Sequence, residues 1–184
     1  MNILSYLDIF GLNISKIRTM KTGLISLLIA ALMFAGCSAS SSTAKNEKAA
    51  ADFEQTAALV ESGNFMFTVR SASPSSGRTV QITSHYALKA VEGKYEAYLP
   101  YFGRAYSGAY GDSGGIEFNG EPEELRINRD DDKLSISVDF TIQSEKDSYA
   151  VSLKVGASGM GNLVISSPKR QSISYYGQSG ELKD

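Results

Sequence analysis

Leu134, Ile136, Val138, Phe140 and Ile142 are apolar, and the residues between them are serine, aspartate or threonine. A repeat of two residues puts every second side chain on the same face of a strand, so this stretch predicts a strand with one dry face and one wet face. The same alternation runs through Phe65, Phe67 and Val69, through Val80, Ile82, Tyr86 and Leu88, and through Tyr149, Val151, Leu153 and Val155. Sheets wetted on one side are antiparallel, because parallel sheets are covered on both faces by their crossover helices. Turn signals at Glu92-Gly93, Arg129 to Asp132, Ser158 to Gly161 and Ser167-Pro168 recur too closely for such helices.

Shorter apolar stretches predict further strands near 94–99, 115–118, 124–128, 162–166 and 171–176, about nine in all. Ahead of them, residues 46–62 read NEKAAADFEQTAALVES, with Gly63 as a stop signal. Ala50, Phe53, Ala57 and Val60 fall along one stripe of a helix. The expected fold is mainly β (α+β): an antiparallel curved sheet or partly open barrel with one N-terminal helix against its concave or open side.

The start of the chain belongs to a different class of sequence. Gly23 to Gly36 form an uncharged apolar run with Lys21 before it and Ala35, Gly36 and Cys37 at its end. As a helix it would reach about 21 Å, short of a hydrocarbon core of about 30 Å. A basic flank, a short apolar core and small residues at the cut site describe a cleavable secretory signal.

The segment FAGC resembles the bacterial lipoprotein box, which implies a diacylglyceryl thioether on Cys37 and a mature chain beginning there. Cys37 is the only cysteine, and a secreted chain gains nothing from a lone thiol. Met20 begins a well-proportioned signal by itself. The division expected is therefore 1–36 as signal, 37–45 as lipidated cysteine and flexible tether, and 46–184 as one β-rich domain.

Loss of residues 1–36 removes Lys16, Arg18, Lys21 and Asp8, a net of +2, so a formal charge of −2 becomes −4. A mildly acidic domain has no electrostatic reason to bind nucleic acid or anionic lipid, so its membrane contact is expected through the acyl chains. No acidic run follows Cys37, and Ser38 takes the place next to it. By resemblance to envelope lipoproteins this implies an outer-membrane anchor facing the periplasm.

Between Tyr98 and Phe118 the chain reads YLPYFGRAYSGAYGDSGGIEF. Tyr98, Tyr101, Phe102, Tyr106 and Tyr110 with Arg104 are candidate ligand-binding residues, since tyrosine offers a flat face with a polar tip and arginine can hold a carboxylate or phosphate. The plainer reading is a packed loop closing one end of the sheet, with Arg104 stacked on a ring or paired to an acid. Tyr98 to Arg104, Tyr106, Gly114 to Ile116 and Phe118 resemble a family of small Bacteroidetes envelope proteins, domain-of-unknown-function family 4251. The resemblance implies an envelope compartment and a β-rich fold, and no activity, ligand or catalytic residue.

The one histidine, His85, lies on the polar side of a predicted strand, and no serine sits in a G-x-S-x-G turn. Zinc would need several His or Cys ligands. Asp130, Asp131 and Asp132 lack the spacing of a calcium loop, and Glu117, Glu121, Glu123 and Glu124 beside Pro122 read as a wet turn. The expectation is a non-enzyme without cofactor or metal. It is an interaction or structural module of the envelope with a filled core, or alternatively a binding module for a small amphipathic ligand, glycan or peptide.

Overall fold

The computed structural model describes residues 40–75, 77–104, 106, 114–145 and 147–182, with side chains from residue 44 onward. Cys37 and Tyr110 lie outside them. The chain divides into two compact units, Met1–Lys45 and Asn46–Asp184. Of the first, the described residues are 40–45, the opening turns of a helix; the second holds the rest of that helix and every strand.

Helix α1 spans Ser40–Glu61. It begins at Ser40 and not at the expected Asn46, reaching back into the serine-rich stretch read as tether. Once a nucleus stands in the alanine-rich part, each added serine costs only a few tenths of a kcal/mol in propensity. The buried stripe also sits differently from the sequence reading. Phe53, Thr56, Ala57 and Val60 are buried and Ala49 is half-buried, while Ala50 is exposed.

Ten strands follow: β1 Phe65–Pro74, β2 Val80–Gln81, β3 Ala87–Val91, β4 Lys94–Leu99, β5 Ile116–Gly120, β6 Glu123–Asp130, β7 Ser135–Gln143, β8 Ser148–Gly156, β9 Met160–Ser167 and β10 Arg170–Gly180. Nine lie side by side in the order β5-β4-β3-β1-β10-β9-β8-β7-β6, with β2 paired to β1. Every pairing is antiparallel. The sheet is a curved half-barrel with one dry face, the face that the alternation predicts.

The run predicted as one strand from Val80 to Lys89 divides into β2 and β3. Between them Ile82 N–H donates to Arg70 O and Val69 N–H donates to Tyr86 O. The sequence keeps its period through this break because Ile82 and Tyr86 still pack against the core on either side of it.

One face of the sheet is filled. Phe65, Phe67, Leu88, Leu99, Ile136, Val138, Leu153, Leu163 and Tyr175 are at most 1% exposed, and the helix stripe packs into the same core. Curvature needs room where strands crowd, and glycine provides it. Gly177 of β10 pairs with Gly161 of β9, and the Phe67 ring lies over both. A Cβ on Gly177 would stand 2.2 Å from Thr68 O and 3.0 Å from that ring.

The curl brings the two ends of the strand order together. Tyr95 of β4 lies 4.4 Å, ring centre to ring centre, from Phe140 of β7, and Phe118 of β5 lies 5.7 Å from Tyr149 of β8. Only Glu121 and Pro122 separate β5 at one edge from β6 at the other, so this short link crosses the seam. β6 departs from the pattern of the other long strands. It is exposed along nearly its whole length, and Leu125 and Ile127 stand 42% and 37% exposed. At its far end the Arg129 guanidinium bonds to Glu54 and covers the Phe53 ring of α1 at 5.1 Å.

Candidate functional site

The tyrosine-rich segment leaves β4 at Leu99 and is tied by its backbone to the turn between β9 and β10. Tyr106 N–H donates to Lys169 O at 2.8 Å, and Gln171 N–H donates to Arg104 O at 3.0 Å. Tyr101 Oη lies 2.9 Å from the carbonyl oxygens of both Arg104 and Gln171, so its single proton serves one or the other. Below it, the fully buried Tyr175 of β10 donates its hydroxyl to Pro100 O at 2.8 Å. Burial holds both phenols above the ordinary tyrosine value, most strongly Tyr175.

Arg170 organises this end of the sheet. Its Nη1 donates to Gly114 O at 3.0 Å and Gly115 O at 3.3 Å, and its guanidinium lies 5.3 Å from the centre of the Tyr101 ring. Its Nε stands 4.0 Å from Asp147 Oδ2, with side chains 10% and 3% exposed. Asp147 also accepts Ser167 Oγ–H at 2.7 Å and Ser148 N–H at 2.9 Å. Ser167 Oγ in turn accepts the N–H groups of Lys169 and Arg170, each at 3.1 Å. A buried carboxylate is tolerable because charge and hydrogen bonds both meet it.

This latch holds the segment where it leaves β4 and where it rejoins the sheet at β5. The role weighed for Arg104, stacking on a tyrosine or pairing with an acid, falls to Arg170 instead. Arg104 is exposed and contributes its carbonyl. Sequence reading passed over Arg170 and Asp147 because Asp147 closes a charged turn and Arg170 directly follows the Ser167-Pro168 turn, places where charge is ordinarily solvated.

Next to the latch is a cleft of about 700 Å³ on the seam. Phe118 and Tyr149, both buried, form its floor, and Arg170 borders it. Glu96 and Tyr98 of β4, Glu117 and Asn119 of β5, and Gln143 and Glu145 at the β7–β8 turn line its rim. Tyr98 is 58% exposed and lies against Tyr86, ring centres 5.7 Å apart at 33°. A second hollow, of about 270 Å³, lies between Arg126, Asp139 and Ser152 on the polar face of β6 to β8.

The described candidate residues do not converge on one cavity. Tyr98 borders the cleft, and Tyr101 is turned into the latch. Phe102, Arg104 and Tyr106 are exposed without lining it. Among the described residues, no group of three or more His, Cys, Asp or Glu is placed to hold a metal ion. His85 is exposed.

The comparisons agree with this architecture. The family model described as "Domain of unknown function (DUF4251)" matches residues 47–179, from the helix to the last strand. The crystal structure of a DUF4251 family protein from Bacteroides eggerthii is similar with a TM-score of 0.55 at 17% identity, over 72% of this chain and 89% of that one. At that identity the likeness speaks for the fold. No curated protein matches. With the model covering the helix, the sheet and the latch alike, the chain belongs to the DUF4251 family.

Proposed function

We propose that this chain is an exported lipoprotein of the bacterial envelope, anchored in the outer membrane through acylated Cys37, and that its domain acts without catalysis by docking onto another envelope protein. The export signal and the lipoprotein box support the anchor. The observation that carries the docking reading is the filled interior of the half-barrel. Tyr95, Tyr149, Tyr175, Phe65 and Phe67 occupy the space in which a ligand-enclosing barrel would keep its cavity.

What the domain offers a partner is on the outside. Among the described residues, both terminal strands of the sheet have a strand neighbour on one side alone, and β6 adds Leu125 and Ile127. Proteins ordinarily blunt such edges, and those left open take up partner strands. The described ionisable groups whose pKa departs from the ordinary value are accounted for by burial or by local ion pairs, which supports a structural use of them.

The test is Cys37→Ala, together with a photo-crosslinking residue at Leu125 or Asn119 in intact cells. The anchor predicts that the variant loses incorporated fatty acid and leaves the membrane fraction; retention in that fraction would contradict it. Docking predicts a discrete crosslinked adduct from one of the two positions, and none from either would overturn it.

A further inference from the structure

The seam cleft has the features of a recognition site for an extended, basic chain. On its side away from β4, β5 makes no backbone hydrogen bond to another described strand. Across the gap stand Gln143 at the end of β7 and Ser144 and Glu145 of the β7–β8 turn. A volume near 700 Å³ lies within the range of ordinary ligand clefts. It is open along the strand edge, so the shape suits a segment of polypeptide laid beside β5.

The occupant's chemistry follows from the rim. Glu96, Glu117 and Glu145 line the cleft, and none forms an ion pair with a described residue. Lys89 stands opposite Glu96 in the β3–β4 register without reaching it. Among the described residues that line the cleft, the cation is Arg170, and it is committed to Asp147 and to the carbonyls of Gly114 and Gly115. Tyr98, largely exposed and backed by Tyr86, offers a ring face of the kind that attracts a cation. Carboxylates and an aromatic face select the same side chains, lysine and arginine.

Register supports the match. Glu117 and Asn119 share the polar face of β5, with Tyr98 opposite Glu117 and Glu96 opposite Asn119. Alternate residues of a strand added beside β5 would point to that same face, within reach of cross-strand pairing. We infer that the cleft binds an extended protein segment carrying lysine or arginine at alternate positions, added as a strand to β5 and held by Glu117, Glu96, Glu145 and Tyr98. This rests on the docking reading above and names the surface and the partner's chemistry.

The test uses the full chain in detergent and a short β-prone peptide with lysine at every second position, followed by titration calorimetry. The inference predicts saturable binding that weakens with salt. It also predicts a loss of affinity of at least about tenfold in the triple variant Glu96→Gln/Glu117→Gln/Glu145→Gln, in Tyr98→Ala, and with a peptide whose backbone amides are alternately N-methylated. All four positions are exposed, and unchanged thermal melting checks that the variants are folded.

Equal binding by the methylated peptide, or by spermidine, would mean charge alone and would overturn strand addition. Absence of binding, or binding indifferent to the triple variant, would overturn the site. If the crosslinker at Leu125 traps a partner while the peptide fails to bind, docking stands and this cleft is not its place; failure of both sinks both readings.

Discussion

Replacing Arg170 with alanine tests the latch. The change takes two hydrogen bonds from the carbonyls of Gly114 and Gly115, the cation from beside Asp147, and the cover from the Tyr101 ring. Removing one member of a buried ion pair commonly costs about 3–5 kcal/mol, because the other charge is left without compensation. Here the ion pair is long at 4.0 Å, and Asp147 keeps its bonds from Ser167 and Ser148, so a smaller loss of about 2–4 kcal/mol is expected. In a domain of this size that lowers Tm by roughly 4–16 °C, at about 2–4 °C per kcal/mol. Urea unfolding followed by circular dichroism would measure it. Adding Asp147→Asn should recover part of the loss, since the uncompensated charge is then gone, and a double-mutant cycle isolates that coupling. Arg104→Ala should stay within about 0.5 kcal/mol of the parent. A loss below about 1 kcal/mol for Arg170→Ala, or a larger loss for Arg104→Ala, would refute the assignment of the latch.

Gly177→Ala should destabilise by about 1–3 kcal/mol or more, since the new methyl group meets the Thr68 carbonyl and the Phe67 ring, whereas Gly180→Ala has nothing within 4 Å and should unfold with the parent in urea. Phe53→Ala should cost about 3–5 kcal/mol by leaving a cavity between α1 and the sheet, and Ala50→Glu on the exposed side of the same helix should change the urea midpoint little. Burial raises the phenol pKa of Tyr95, Tyr101 and Tyr175 above the unfolded value of about 10, so the stability they contribute is complete below that pH and is lost as pH rises through the folded values. Tyr175→Phe should therefore flatten the alkaline fall in stability, which parallel urea titrations on either side of that pH would detect.

The sheet was legible because its period is backed by burial. Ile136, Val138, Phe140 and Ile142 alternate in sequence and line the dry face in space, and a one-residue slip would have turned all four outward. The helix was legible from Phe53, Ala57 and Val60, but its rotation was not fixed to a residue. Ala49 and Ala50 are equally apolar, so composition could not choose between them, and packing did. The break between β2 and β3 was hidden because Ile82 and Tyr86 keep the phase of a strand across it.

The candidate site was legible as a segment and not as a constellation. Tyrosines and glycines mark residues 98–118, yet what each tyrosine does depends on residues far away in the chain. Tyr101 is fixed by Gln171, Pro100 is held by Tyr175, and Gly114 is held by Arg170. Asp147 looks in sequence like part of a solvated turn, and its burial exists only once Ser167 and Arg170 arrive from the neighbouring hairpin. The seam cleft is less visible still, since β4 and β5 meet the β7–β8 turn only once the sheet has curled.

Amide hydrogen exchange of β5 and β6, compared between membranes prepared from cells that make the protein and the same protein purified in detergent, bears most directly on the proposed docking through the sheet edges. Unpaired edge amides exchange quickly, and pairing with a partner strand slows them. The account predicts slower exchange at Glu117 to Asn119 in the membrane preparation, lost on purification and restored by the lysine-bearing peptide. Identical exchange along both edge strands in the two preparations would contradict it.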